Sequence, residues 1–150
     1  MPAATYSVTI ARPIQDVFSY VEDGENCPRW RPGVVGIRRV SGQGVGARYA
    51  QQVRGPMGRS IDADYEITQE QPNQRLEFQT IAGPVRPHGV YLFEPADGGT
   101  RLTFSLDAQL SGVRRLLMGS AVQKTMDAEV RTLDNLKAVL ESEDTPHTVR

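Results

Sequence analysis

VRRLLMGSAVQKTMDAEVRTLDNLKAVLE, residues 113–141, is the stretch on which the fold turns. Val122, Met126, Leu133, Leu136 and Leu140 fall on one stripe at about 100° per residue, the spacing of a single helical face. Gly119 and Ser120 interrupt its early part, and a glycine costs a helix about 1 kcal/mol relative to alanine. A kink or a shorter lead-in helix is expected there. The apolar stripe needs cover, and the preceding residues supply it. From Val34 onward, glycine-rich or polar punctuation recurs at 42–46, 55–58, 71–73, 83–84 and 96–99, which predicts an antiparallel meander. Ile61, Ala63, Tyr65 and Ile67 alternate with Asp62, Asp64 and Glu66, while Leu102, Phe104, Leu106, Ala108 and Leu110 alternate with polar partners. Each strand therefore has one apolar and one wet face. Leu76, Phe78 and Thr80 follow the same rule. Residues 90–93 are apolar at successive positions, and Tyr91 and Phe93 are assigned inward there.

Before the meander, Tyr6, Val8 and Ile10 alternate as a strand. Pro13 then opens a helix carrying Ile14, Val17, Phe18 and Val21, and Asp23 and Gly24 end it ahead of a further turn at 25–28. The architecture is α+β: a curved sheet, two short helices after its first strand, and one long helix at the end. A curved sheet is wider than one helix, so an apolar cavity is expected between them. One domain over 1–142 is read, with 143–150 as a disordered polar tail.

The 150 residues suffice for one core, and a net charge of −1 excludes a whole-molecule basic field of the kind that draws proteins to nucleic acid. Cys27, the lone cysteine, forms no internal disulfide, which fits a reducing cytoplasm. No stretch approaches the length of a membrane span. Monomer and homodimer both remain open.

The stretch VFSYVEDGENCPRW, Val17 to Trp30, with the following 32–35, resembles the START-like (SRPBCC, Bet v 1-like) superfamily, in particular its polyketide cyclase/dehydrase and lipid-transport branch. YLFEPADGGTRLTF, Tyr91 to Phe104, and LDNLKAVLES, Leu133 to Ser142, extend the resemblance to residues 6–142. It implies a helix-grip fold with seven antiparallel strands around the last helix and a hydrophobic cavity. Members bind lipids, sterols, polyketides, hormones or ubiquinone-like molecules, and some are aromatases, cyclases or hydrolases. No catalytic motif of an enzymatic branch maps onto this chain.

Among single residues, Glu129 stands midway along the stripe and aims a carboxylate at the apolar side. In a dry cavity it would act as a general acid or anchor a ligand oxygen; otherwise it bonds a strand tyrosine or reaches solvent at the mouth. Tyr49, Tyr65 and Tyr91 face inward and either offer hydroxyls to a ligand or pack against backbone partners. Trp30 reads as a ligand-stacking ring near the mouth or as an anchor at a helix-to-strand junction. Phe78, Phe93, Phe104, Val122 and Met126 complete the expected lining, with Glu129 and Tyr91 the catalytic candidates if there is chemistry. His88 is expected on the wet face. No metal or cofactor is expected, because the required clustering is missing. The loops 55–59 and 83–87, with Met57 and Val85, either gate ligand access or simply join strands. These features predict binding of a hydrophobic or amphipathic small molecule. A cofactor-independent cyclase is the alternative, and a protein-interaction module, signalled by outward-facing Val90 and Leu92, is the third reading.

Overall fold

The computed structural model describes residues 3–110 and 112–142. The expected tail at 143–150 lies outside them. The chain runs through β1 (Ala3–Ile10), α1 (Ile14–Glu22), a 3-10 helix (Gly24–Arg29), β2 (Val34–Ser41), β3 (Arg48–Arg54), a 3-10 turn (Pro56–Gly58) and β4 (Ser60–Asp62). It continues through β5 (Tyr65–Gln71), β6 (Arg75–Thr80), β7 (His88–Ala96), β8 (Gly99–Asp107), α2 (Gly112–Val130) and α3 (Leu133–Ser142). Seven strands form one antiparallel path, β1-β8-β7-β6-β5-β3-β2. The three-residue β4 is an eighth, branching from β3. The extra strand arises because the run from Ile61 to Ile67 is not continuous. At Ala63 and Asp64 the ladder to β3 is interrupted: the Ala63 amide still donates to the Gln51 carbonyl at 2.8 Å, but the Gln51 amide donates to the Asp64 side chain at 3.1 Å, and β5 resumes the pairing with β3 at Tyr65 while adding β6 on its other edge. Tyr65 and Ile67 are buried, whereas Ile61 and Ala63 are only half-buried.

The terminal helix lies against β1 and runs in the same direction. Gln123 bonds the backbone of Ala3, the Tyr6 hydroxyl donates to Asp134 at 2.8 Å, and Arg12 donates to the Leu140 carbonyl at 2.8 Å. Its inward stripe of Val122, Met126, Val130, Leu133, Leu136 and Leu140 is buried, each large side chain contributing roughly 1.5–3 kcal/mol of hydrophobic free energy. The helix breaks at Arg131 and Thr132, not at Gly119 and Ser120, which continue α2. The cause is local hydrogen bonding. The Thr132 hydroxyl and amide both return to the Glu129 carbonyl, and the Asp134 and Asn135 amides close short i to i−3 turns. Tertiary burial of Met126 and Val130 outweighs the modest cost of a mid-helix glycine.

The concave face is aromatic. Tyr49 stacks on Tyr65 at 5.0 Å between centroids and Tyr91 on Phe104 at 4.3 Å, while Phe78 touches Tyr65, Tyr91 and Phe104. Phe78 owes its position to Gly89 opposite: a Cβ there would stand 2.2 Å from the Phe78 ring. These rings, with Trp30, converge on one concave inner surface. An open depression of about 620 Å³ lies at the rim of the outer face, lined by Gln79, Arg86, His88 and Asp107 among others.

Candidate functional site

The polar centre of the interior is built on Arg31. The 3-10 helix ends with the Trp30 and Arg31 amides both donating to the Cys27 carbonyl. The following Pro32 and Gly33 lead into β2, and this turn swings the Arg31 side chain under the terminal helix. Its Nε donates to Glu129 and its Nη1 donates to the Gln51 side-chain oxygen at 3.0 Å and to Cys27 Sγ at 3.5 Å. Gln51 is aimed by its own amide nitrogen, which donates to the Ala63 carbonyl at 2.9 Å, so its oxygen is left to face the guanidinium. The Arg31 and Glu129 side chains are 14% and 24% exposed. Burial is the largest influence on Arg31 and disfavours its charge, but Glu129, with smaller help from Cys27 and Tyr91, holds its pKa well above the ordinary value.

Tyr65 and Tyr91 flank this pair. Burial pushes both phenols well above their usual pKa, so at neutral pH they are uncharged hydrogen-bond donors. Among the described residues neither hydroxyl has a hydrogen-bond partner. Tyr49 differs. Its hydroxyl accepts from the Gly24 amide at 3.3 Å and donates to the Glu22 carbonyl at 3.5 Å, so this ring anchors the 3-10 helix. Gly24 permits the approach, because a Cβ at that position would lie 2.2 Å from the Tyr65 oxygen.

Trp30, read from the sequence either as a ring near the cavity mouth or as an anchor at a helix-to-strand junction, is 2% exposed. Its ring meets Tyr91 edge-on at 6.4 Å and its carbonyl accepts from Asn135 of α3, which makes it the anchor of the junction. Phe104, Val122 and Met126 are buried on the inner side, and Phe78 is half-buried. Phe93 faces inward but pairs with Phe18 of α1 at 5.0 Å. Glu129 is paired with Arg31 and is not an isolated carboxylate in a dry pocket. Arg31, Gln51 and Cys27 had no place among the sequence candidates. Gln51 was within reach, since it shares the inward parity of Tyr49 two residues earlier. Arg31 was signalled only indirectly, by the need of a carboxylate on an apolar stripe for a cation.

His88 is on the outer face, between Glu77 at 3.0 Å and Asp107 at 3.4 Å. Among the described residues no group of three or more His, Cys, Asp or Glu side chains is placed to hold a metal ion, and no helix is long and apolar enough to cross a membrane.

A curled antiparallel sheet closed on a C-terminal helix is the helix-grip architecture of the START-like, Bet v 1-like proteins. The chain belongs to the family described as polyketide cyclase/dehydrase and lipid transport, which it matches over residues 1–141. Its fold is shared by TTHA0849 from Thermus thermophilus, at a TM-score of 0.82 and 23% identity over 96% of this chain and 100% of that one. The di-domain ARO/CYC StfQ from the steffimycin biosynthetic pathway aligns at a TM-score of 0.77 and 15% identity, over 91% of this chain and 49% of that one. Ara h 8.0201 aligns at 0.67 and 16%, over 93% and 97%. At these identities the likeness concerns fold alone. A comparison with curated proteins finds no match.

Proposed function

We propose that this protein binds an amphipathic small molecule between the sheet and the terminal helix, its apolar body among the rings and one oxygen at the polar cluster. The observation that carries this reading is the half-buried Arg31–Glu129 pair beside two tyrosine hydroxyls that have no partner among the described residues. Two neutral O–H donors and a guanidinium converging on one region match a carbonyl, phenol or carboxylate oxygen. Phe78, half-buried above Gly89, is the ring whose rotation admits the ligand. The family description, which joins cyclases with lipid transport, supports the same class of ligand.

The single tryptophan, Trp30, reports on the site. Titration with 1-naphthol and with naphthalene, followed by Trp30 fluorescence, is expected to give at least tenfold tighter binding of the naphthol. That preference should collapse in Tyr91→Phe. Equal affinities for the two probes in the native protein would contradict the reading.

A cyclase-type activity is the second reading, favoured by the same donors. They could stabilise a substrate carbonyl as negative charge develops on its oxygen, with Glu129 as the base of the cluster. Turnover of a poly-β-keto analogue separates it from binding alone.

A further inference from the structure

The register of the sheet draws one line of paired residues across it, Ala3, Asp107, His88, Gln79, Glu66 and Arg48. Two elements project past that line in the same direction. From Arg48, β3 runs on to Arg54 and the turn carrying Met57, which at ~3.3 Å per residue is an overhang on the order of 20 Å. From Gln123, which bonds Ala3, α2 extends back to Gly112, about 16 Å at 1.5 Å per residue. The 81–87 connection lies between them. The three most exposed large apolar side chains of the described residues all stand on these two projections: Met57 at 95%, Leu117 at 79% and Val113 at 69%. Val113 and Leu117 are one helical turn apart and share a face.

Met57 is also held at φ 61°, a left-handed conformation costly for a residue with a side chain. A strained, fully exposed methionine at a turn tip has no packing reason to be there. The charge of this end is equally distinct. The sequence of 53–64, 81–88 and 108–118 contains five arginines against two acidic residues, Asp62 and Asp64, in a chain whose net charge is −1. Arg54, Arg59 and Arg86 are exposed.

We infer that this end docks on an anionic lipid surface, with Met57, Val113 and Leu117 entering the boundary between headgroups and acyl chains and Arg54, Arg59 and Arg86 meeting lipid phosphates. Separate apolar pegs ringed by cations fit a fluid charged surface better than they fit a protein partner, which needs a continuous complementary patch. The inference goes beyond interior binding and is tested without ligand.

The test is flotation of the protein with vesicles of phosphatidylcholine alone and of phosphatidylcholine mixed with phosphatidylglycerol. Binding is expected to the mixed vesicles, at least tenfold weaker to phosphatidylcholine alone, and weakened to a similar extent by Met57→Asp, by Leu117→Asp, by Arg59→Glu and by raised salt. The substituted positions are exposed and lie on separate elements, so thermal melting should be unchanged. Absence of binding to mixed vesicles, equal binding to both compositions, or binding indifferent to the Met57 and Leu117 variants would overturn the inference. So would a dimer in solution that Leu117→Asp dissolves, because a second copy would then be the occupant. The Met57→Asp protein should retain its naphthol affinity, which keeps a failure here distinct from a failure of interior binding.

Discussion

Trp30→Ala is expected to lower the unfolding free energy by about 3–5 kcal/mol, the range for deleting a large buried aromatic. The ring is 2% exposed, meets Tyr91 edge-on, and sits where the 3-10 helix hands over to β2. Its backbone carbonyl still accepts from Asn135 in the variant, so the loss reports packing and the cavity left behind. For a chain of this length the melting temperature should fall on the order of 10 °C. A ring serving as a mobile lid would instead behave like a surface residue, within about 0.5 kcal/mol of the native protein. Thermal and urea unfolding distinguish the two, and a small effect would remove Trp30 from the core.

Glu129→Ala is expected to cost about 2–3 kcal/mol. Removing one partner of a buried pair leaves the other charge uncompensated, a penalty of roughly 3–5 kcal/mol in fully buried cases. The 24% exposure of the Glu129 side chain places this pair at or below the lower end of that range. What remains is a guanidinium facing Gln51 and Cys27, with Tyr65 and Tyr91 nearby. The double variant Arg31→Met/Glu129→Leu should recover most of the loss, because the aromatic surroundings accept apolar side chains. In urea the midpoint should shift with an unchanged slope. A double variant as unstable as the single one would mean that the ion pair is itself a principal stabilising contact.

The inner face of the terminal helix was legible because its apolar residues recur at a period that nothing else explains, and the helix buries that face. The inward parity of Tyr91 was legible only by analogy with its neighbours, and the pairing of Tyr91 with Phe104 and Leu76 bears it out. The helix break was not legible. Gly119 is the visible breaker, whereas the actual one is a threonine hydroxyl bonding a carbonyl three residues back. The split of β4 from β5 was hidden for a related reason, since alternation persists through Ala63 and Asp64 while the Asp64 side chain takes the Gln51 amide and interrupts the ladder to β3. The hardest element to read was Arg31. Its burial depends on the turn after the 3-10 helix and on Glu129, 98 residues away, and no local pattern distinguishes it from its arginine neighbours Arg29, Arg38 and Arg39. The candidate site was therefore half legible: its carboxylate and its rings show in the periodicity, its cation does not.

The most direct measurement of the central claim is the side-chain Nε–H resonance of Arg31 in ¹⁵N-labelled protein, assigned by its loss in Arg31→Lys, during titration with 1-naphthol. If the ligand oxygen meets the polar cluster, that resonance shifts in step with Trp30 fluorescence. An Arg31 resonance that stays in place while the backbone amides of Gln79, His88 and Asp107 move would put the ligand in the outer depression and contradict the account.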